Sequence, residues 1–426
     1  MRAERALANA ADSVHIFTIP LRSIFIDFDA YFASCEQHLQ PQLRARPVGV
    51  APVQSPGGSC IAASYEARAF GVGVGTRVKE AKALCPDIAI VPSQPEVYVK
   101  LHHQLRKIIN DCMYVDKVFS IDEMSCPLTG RWRQPDNALA LARQIRARLA
   151  DFSPALKASI GLAPNTWLAK VATEMRKPNG LVLLRNEDLP EALYPLELQD
   201  LPMIAKGMKT RLARQGVHTV KELCALSRTQ MRAIWGGVEG ERFHGRLHGQ
   251  DIPPVATKRQ HMGHSRVLDP ARRNPNGVRA VLFRLLQRAA IRLRAEDYYA
   301  ACLSFEIRFY DFREWGDKIS LEPTRETPLL IDALRTLWQG IPSWLWQHTP
   351  QSCSVMLSQL EPGSCHTRSL FQKEEHRGQA LARAMDTVTH SFGQKSLYFG
   401  CAHGGFDEAS AVRIAFSHIP DLEYEN

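Results

Sequence analysis

The chain has 426 residues, of which 45% are hydrophobic and 23% are charged, which is typical of a globular protein with about two to four compact units. No stretch approaches the ~20 apolar residues that a membrane span requires, so a membrane-spanning protein is excluded. The formal net charge of +9 and the pI of about 9.1 favour a polyanionic partner, although a merely basic enzyme would carry the same charge.

The ten cysteines include no CxxC pair, which argues against a zinc site and against a disulfide scaffold. We therefore expect a reduced, cytoplasmic protein. The first twenty residues lack the apolar core of a secretory signal because Asn9, Asp12 and His15 interrupt it. This segment is predicted to be a loose extension.

Short apolar runs alternate with helical patterns as far as about residue 185. Strands are predicted over 23–28, 116–124 (a strand or a hairpin) and 157–163. Helices are predicted over 64–72, 140–152 and 165–180. Strands that alternate with helices indicate an α/β unit.

Three acidic residues, Asp27, Asp122 and Glu123, lie at the ends of apolar runs, so folding could bring them together. Two carboxylates ~4 Å apart repel each other by about 4 kcal/mol at an effective dielectric constant near 20. Such a cluster takes up protons or binds hard divalent cations, and a pair of metal ions suits in-line phosphoryl transfer. Asp-Glu pairs are also common at strand ends, so the SIDE motif alone leaves a purely structural role open.

The pattern changes beyond residue 185. Over residues 186–250 the pattern predicts short, basic helices. The paired prolines in 249–261 predict a linker. A helix over 278–296, a strand over 302–312 and a helix over 329–341 follow. Residues 258–294 contain ten basic side chains and one acid, which favours a nucleic-acid partner for this half of the chain.

Four motifs occur in order: FIDFDAYF (25–32), ASYEARAFGV (63–72), FSIDE (119–123) and IGLAPNTWLAKVATEMRKPNGL (160–181). Together they resemble the Y-family translesion DNA polymerases of the DinB and UmuC kind, from about residue 21 to 260 and more loosely to about 360. The resemblance implies error-prone, template-directed addition of deoxynucleotides to a primer 3′ end during DNA repair and damage tolerance. Its partners would be primer-template DNA and deoxynucleoside triphosphates.

The resemblance also implies a role for individual residues. The metal ligands would be Asp27, Asp122 and Glu123, assisted by the backbone carbonyl of Phe28, and they would hold two Mg²⁺ ions, for which Mn²⁺ could substitute. Phe32 would be a steric gate that leaves no room for a ribose 2′-hydroxyl. The β and γ phosphates would be contacted by Tyr65, Arg68 and Lys177, while Lys170 would approach the DNA or the acids.

The implied fold is a multidomain α/β right hand. It consists of an N-terminal extension (1–20), an α/β palm (21–30 and 95–185), small fingers (31–94), a helical thumb (186–250), a linker (251–260), an α+β little finger (261–362) and a C-terminal extension (363–426). In the little finger, Arg284, Arg288 and Arg292 recur every four residues and so share a helix face. That face would either contact DNA phosphates or be solvated.

The chain departs from the family pattern in several places. Met203-Ile204-Ala205 replaces the glycine-rich turn of the thumb, which weakens the expected phosphate contact there. The TRSLFQ segment (367–372) lies where relatives carry a sliding-clamp-binding peptide, and a clamp anchor and an ordinary apolar patch are both open interpretations. Two other functions also remain open: a catalytically weak or inactive DNA-binding member of the family, and another nucleotidyl-transfer enzyme such as a cyclase.

Overall fold

The computed structural model describes residues 20–253, 255, 258–366, 375–393, 396–405 and 419. The chain divides into two compact units, with the boundary at residues 254 and 255. Among the residues described, we find no helix with the length and apolar character needed to cross a membrane.

The first unit contains two sheets and several short helices. Its strands are β1 (Ser23–Phe28), β2 (Val48–Ala51), β3 (Ala62–Ala63), β4 (Ala89–Pro92), β5 (Lys117–Val118), β6 (Glu123–Pro127), β7 (Ala158–Ala163) and β8 (Leu181–Leu183). Its helices are α1 (Tyr31–Leu39), α2 (Tyr65–Arg68), α3 (Val78–Leu84), α4 (Pro95–Asn110), α5 (Pro135–Phe152), α6 (Thr166–Glu174), α7 (Lys206–Ala213), α8 (Val220–Cys224), α9 (Arg228–Trp235) and α10 (Val238–Leu247).

The central sheet of this unit has the strand order β5-β6-β1-β7-β8, and β1 is antiparallel to both of its neighbours. All six residues of β1 are buried, because helices cover both faces of the sheet. Ile24, Ile26 and Phe28 pack into one apolar core, whereas Phe25 packs into another that includes residues of α6. Side chains alternate along a strand, so Asp27 lies on the same face as Phe25, toward α6.

Two of the predicted helices are shorter than expected. The helix predicted over 64–72 ends at Arg68, and the chain then turns through Gly71, whose φ is +85°. The helix predicted over 165–180 ends at Glu174, because a residue that precedes proline is disfavoured in the helical region and Pro178 follows Lys177. The predicted strand over 23–28 and the predicted hairpin around Asp122 are confirmed.

The second unit is an antiparallel sheet with helices packed on it. Its elements are β9 (His261–Val267), α11 (Pro275–Ala295), β10 (Tyr298–Phe309), β11 (Glu314–Thr324), α12 (Thr327–Gln339), β12 (Pro350–Pro362) and α13 (Glu375–Phe392). The strand order is β11-β10-β12-β9. Alternate residues of β10, such as Leu303, Phe305 and Ile307, form one core with the apolar residues of α11 and α12. The tail, for which the sequence predicted no fold, thus includes a helix of 18 residues.

Candidate active site

The three acids predicted as metal ligands meet at one end of the central sheet. Asp27 on β1 lies directly opposite Glu123 on β6 in the antiparallel register. The backbone N–H of Phe28 donates to the carbonyl of Asp122, with an N···O distance of 2.9 Å. Strand pairing therefore brings together residues that are far apart in the sequence.

Each acid side chain has a polar partner of its own. Lys177 Nζ lies 2.9 Å from Asp27 Oδ1, and Lys170 Nζ lies 2.5 Å from Glu123 Oε1. The hydroxyl of Ser120 donates to Asp122 Oδ1 over 2.5 Å. Two lysines supplied by α6 and the turn that follows it thus offset the negative charge at this end of the sheet.

Burial governs the protonation of the Asp27–Lys177 pair. Burial raises the pKa of Asp27 to about 7, and the positive charge of Lys177 opposes this rise. Burial alone would lower the pKa of Lys177, but the carboxylates of Asp27 and Glu174 outweigh it, so the pKa of this lysine is raised. The environment of Asp27 disfavours a bare negative charge and favours a nearby cation.

A cavity of about 200 Å³ opens beside the acids. Its walls include Asp27, Phe28, Phe32, Tyr65, Arg68, Asp122, Glu123 and Lys177. These are all eight residues that the sequence assigned to metal or nucleotide binding, and they come from four separate segments of the chain. The structure therefore places the predicted metal and nucleotide residues around one opening.

Tyr65 and Arg68 reach the cavity from the short helix α2. Ser64 caps this helix, because its side chain accepts a hydrogen bond from the backbone N–H of Ala67. The Arg68 guanidinium lies over the Tyr65 ring, 4.7 Å from its centroid, and its Nε donates to the carbonyl of Ala63. The two side chains thus present a phenol and a guanidinium from one face of the helix.

Phe32 lies on the first turn of α1 and forms another wall of the cavity. Its side chain is only 6% exposed, so it cannot swing freely into solvent. Its ring stacks on that of Tyr98 in α4, with the centroids 4.8 Å apart. The position of Phe32 therefore suits a rigid wall of the cavity.

Asp29 belongs to this site, although the sequence analysis gave it no role. Its buried carboxylate accepts hydrogen bonds from the Ser159 hydroxyl (2.9 Å), the backbone N–H of Asn179 (2.7 Å) and the Tyr65 hydroxyl (3.4 Å). Burial raises the pKa of Asp29, and these hydrogen bonds oppose the rise. Asp29 therefore connects the turn that carries Lys177 to β7 and to α2. Its position two residues after Asp27 was the sequence signal that could have identified it.

The predicted arginine face of α11 requires a correction. Arg288 and Arg292 are exposed, and Arg292 pairs with Glu296 at 2.8 Å. Arg284, in contrast, is only 8% exposed, and its guanidinium donates to the carbonyl of Gly405 over 2.8 Å. The 3₁₀ turn Gly400–Gly405 packs against α11 and covers this part of the helix. The three arginines do not share one exposed face.

The acid side chains do not converge on a single point as they stand. In the part of the chain that the structure describes, no group of three or more His, Cys, Asp or Glu residues is placed to hold a metal ion. Lys170, Lys177 and Ser120 each contact one of the three carboxylates. The oxygen donors are nevertheless those that hard divalent cations prefer.

Comparisons with known proteins identify the family. Residues 26–174 match the model of the impB/mucB/samB family, and residues 259–370 match the model of its C-terminal domain. DNA polymerase IV 2 of Mesorhizobium japonicum is 32% identical, over 93% of this chain and 97% of the relative. DNA polymerase IV of Moorella thermoacetica is 29% identical, over 88% of this chain and 94% of the relative.

Solved structures confirm the predicted fold class. A Y-family DNA polymerase chimera of Dbh and Dpo4 matches 80% of this chain and 99% of its own, with a TM-score of 0.65 and 21% identity. An insertion ternary complex of Dbh DNA polymerase matches 79% of this chain and 98% of its own, with a TM-score of 0.53 and 23% identity. With both family domains in order and a relative 32% identical over nearly its whole length, the chain belongs to the impB/mucB/samB family, the DinB-like Y-family DNA polymerases.

Proposed function

We propose that the cavity beside Asp27 is where this translesion DNA polymerase joins a deoxynucleotide to the primer 3′ end. The observation that carries the proposal is that every residue assigned to metal or nucleotide binding lines this one cavity. A DNA-binding member without activity is not favoured, because such a protein has no need to keep three acids together against their mutual repulsion. A cyclase is not favoured either, since it needs neither an aromatic gate nor a basic C-terminal half.

The polymerases of this family depend on metal ions, and we propose two Mg²⁺ ions, with Mn²⁺ as a substitute. Asp27, Asp122 and Glu123, with the carbonyl of Phe28, would hold them. When bound, such ions make the attacking hydroxyl more acidic and offset the charge of the leaving pyrophosphate. The pairing of both Asp27 and Glu123 with lysines supports the assignment, because the site brings positive charge to these two carboxylates.

The remaining cavity residues act on the nucleotide. Arg68 and Lys177 would bind the triphosphate, and the planar guanidinium suits a forked contact with phosphate oxygens. Tyr65, whose hydroxyl donates to Asp29 in this structure, would turn that hydroxyl to donate to the same phosphates instead. Phe32 would pack against the sugar and exclude a 2′-hydroxyl by its shape. Asp29 holds the turn that carries Lys177 in place.

The wider assignments rest on the family. We propose that the palm, fingers and thumb lie in the first unit and the little finger in the second, with the boundaries given above. Arg288 and Arg292 remain candidates for phosphate contacts, and primer-template DNA and deoxynucleoside triphosphates are the proposed partners. The clamp-binding segment 367–372 lies outside the described residues and stays a proposal, as does a cytoplasmic location with nucleoid association on DNA.

Primer extension by acid variants tests the proposal. We expect Asp122→Ala and Glu123→Ala to lower the extension rate by about a thousandfold, on undamaged and lesion-bearing templates alike. Both variants should keep the parent affinity for primer-template in fluorescence anisotropy. Asp116→Ala changes an exposed acid on the same hairpin and is the matched control. Extension at the parent rate by either acid variant would refute the site.

A further inference from the structure

Glu36 on α1 is a fully buried carboxylate to which the proposed mechanism gives no role. The hydroxyl of Tyr98 donates to its Oε1 over 2.5 Å, and the side-chain amides of Gln94 and Gln40 donate to its Oε2 at 3.0 and 3.3 Å. Burying a carboxylate is unfavourable unless such donors satisfy it. The arrangement therefore holds the Tyr98 hydroxyl at a defined point.

Tyr98 is fixed at its backbone as well. Its carbonyl accepts a hydrogen bond from the Tyr31 hydroxyl over 2.7 Å, and its side chain is only 1% exposed. Its ring lies against Phe32, with the centroids 4.8 Å apart and the planes 23° from parallel. Phe32 is thus backed, on the side away from the cavity, by a ring that is held at both ends.

We propose that Tyr98 and Glu36 form a support that sets how far the Phe32 ring can retreat from the cavity, and that this support fixes the discrimination against ribonucleotides. The proposal rests on the proposed role of Phe32 as the steric gate. The Phe32 ring excludes the additional 2′-hydroxyl of a ribonucleotide only if it cannot move back by about the size of that group. Well-packed protein interiors yield very little, so a packed ring behind Phe32 would hold it in place. Tyr98 and Glu36 are therefore specificity-determining residues that act through Phe32.

A phenylalanine at position 98 could fill the same volume, so packing alone does not require the hydroxyl. The buried hydrogen bond between Tyr98 and Glu36 joins α4 to α1, which are 62 positions apart in the sequence. Hydrogen bonds between buried groups are directional and fix an orientation that packing leaves adjustable. The bond thus sets the angle at which the Tyr98 ring meets Phe32.

The experiment compares kcat/KM for a deoxynucleotide and for the ribonucleotide of the same base, on one primer-template. Phe32→Ala should abolish most of the discrimination. Tyr98→Leu removes the supporting ring and should lower the discrimination about tenfold or more, while kcat for the deoxynucleotide changes by no more than about threefold. Tyr98→Phe keeps the ring and should lower the discrimination less than Tyr98→Leu does. Glu36→Gln still accepts the hydrogen bond and should retain the parent discrimination. Tyr194→Leu, at a tyrosine outside this cluster, is the control.

The outcomes separate the two proposals. If Phe32→Ala loses discrimination but Tyr98→Leu and Tyr98→Phe keep the parent ratio, the support is refuted and the gate stands. If Phe32→Ala keeps the parent ratio, the gate is refuted and the support falls with it. Should Tyr98→Leu fail to fold, as judged by circular dichroism, an unchanged ratio in Tyr98→Phe still overturns the support.

Discussion

Asp27 and Glu123 face each other across two antiparallel strands, and each carboxylate is paired with a different lysine, Lys177 and Lys170. The register of β1 and β6 thus places two like charges side by side in a mostly buried setting. The lysines, one on α6 and one in the turn that follows it, offset those charges. The acid cluster is therefore built to stand next to positive charge, whether a lysine or a metal ion provides it.

Asp29 should be important for nucleotide binding although it does not line the cavity. Asp29→Asn replaces one acceptor oxygen with an NH₂ group that cannot accept a hydrogen bond, so either the Tyr65 hydroxyl on Oδ1 or the backbone N–H of Asn179 on Oδ2 loses its partner. We expect the free energy of unfolding to fall by about 1–3 kcal/mol. We also expect KM for the deoxynucleotide to rise more than kcat falls, since the turn that carries Lys177 is held through this carboxylate.

Steady-state kinetics and urea denaturation measure the two effects. Asp151→Asn, at an exposed acid on α5, is the matched control and should change neither quantity. Unchanged KM and unchanged stability in Asp29→Asn would show that Asp29 does not position the triphosphate residues.

His102 predicts a dependence of stability on pH. This buried histidine donates from Nδ1 to the carbonyl of Ile121, next to Asp122, over 2.7 Å, and burial lowers its pKa from 6.5 to about 4. The unfolded chain therefore binds more protons than the folded chain between these pH values. The stability contributed by neutral His102 is fully present above pH 6.5 and is lost as the pH falls toward 4, by at most about 3 kcal/mol.

The test is urea denaturation at several pH values between 4 and 7. His102→Asn places an amide donor where Nδ1 lies but does not titrate, so its unfolding free energy should vary less with pH than that of the parent. Other histidines contribute equally to both proteins, and the difference isolates His102. Identical pH profiles for the parent and His102→Asn would contradict the buried, neutral state.

The arginines of α11 should separate into two classes. Arg288→Ala should lower the slope of log affinity against log salt by about one, because an exposed arginine that contacts a phosphate releases a counterion. Arg284→Ala should leave this slope unchanged and should destabilise the second unit, since its guanidinium holds the Gly405 carbonyl. Fluorescence anisotropy across a salt series measures the slope, and a smaller slope for Arg284→Ala would reverse the assignment.

The sequence predicted most of the cavity because those residues lie in short, ordered motifs that resemble a known family. The sequence alone shows acids at the ends of apolar runs. It also shows a tyrosine and an arginine three residues apart on a predicted helix. The burial of Arg284 cannot be predicted in this way. A helical period identifies which residues share a face, but it does not indicate whether a segment more than a hundred residues later covers that face. The support behind Phe32 depends in the same way on the packing of α1 against α4.

The turn at Met203 illustrates a different limit. Met203 stands where the family pattern has a glycine-rich turn, and the absence of glycine predicted a weaker phosphate contact there. The structure shows Met203 at φ 75°, so the chain adopts the left-handed conformation that glycine favours even with a side chain present. The residue type at such a position indicates that the turn is strained, whereas only tertiary packing decides whether the chain adopts the turn.

The most direct test of the central claim is an electron paramagnetic resonance titration of Mn²⁺ against the full chain. The sample would contain a dideoxy-terminated primer-template and the matching deoxynucleotide, and a sample without protein would correct for Mn²⁺ held by the nucleotide alone. We expect the parent to bind two Mn²⁺ ions per chain and the double variant with Asp122→Ala and Glu123→Ala to lose this binding while it still binds DNA. Equal Mn²⁺ binding by the parent and the double variant would contradict the claim that these acids form the metal site.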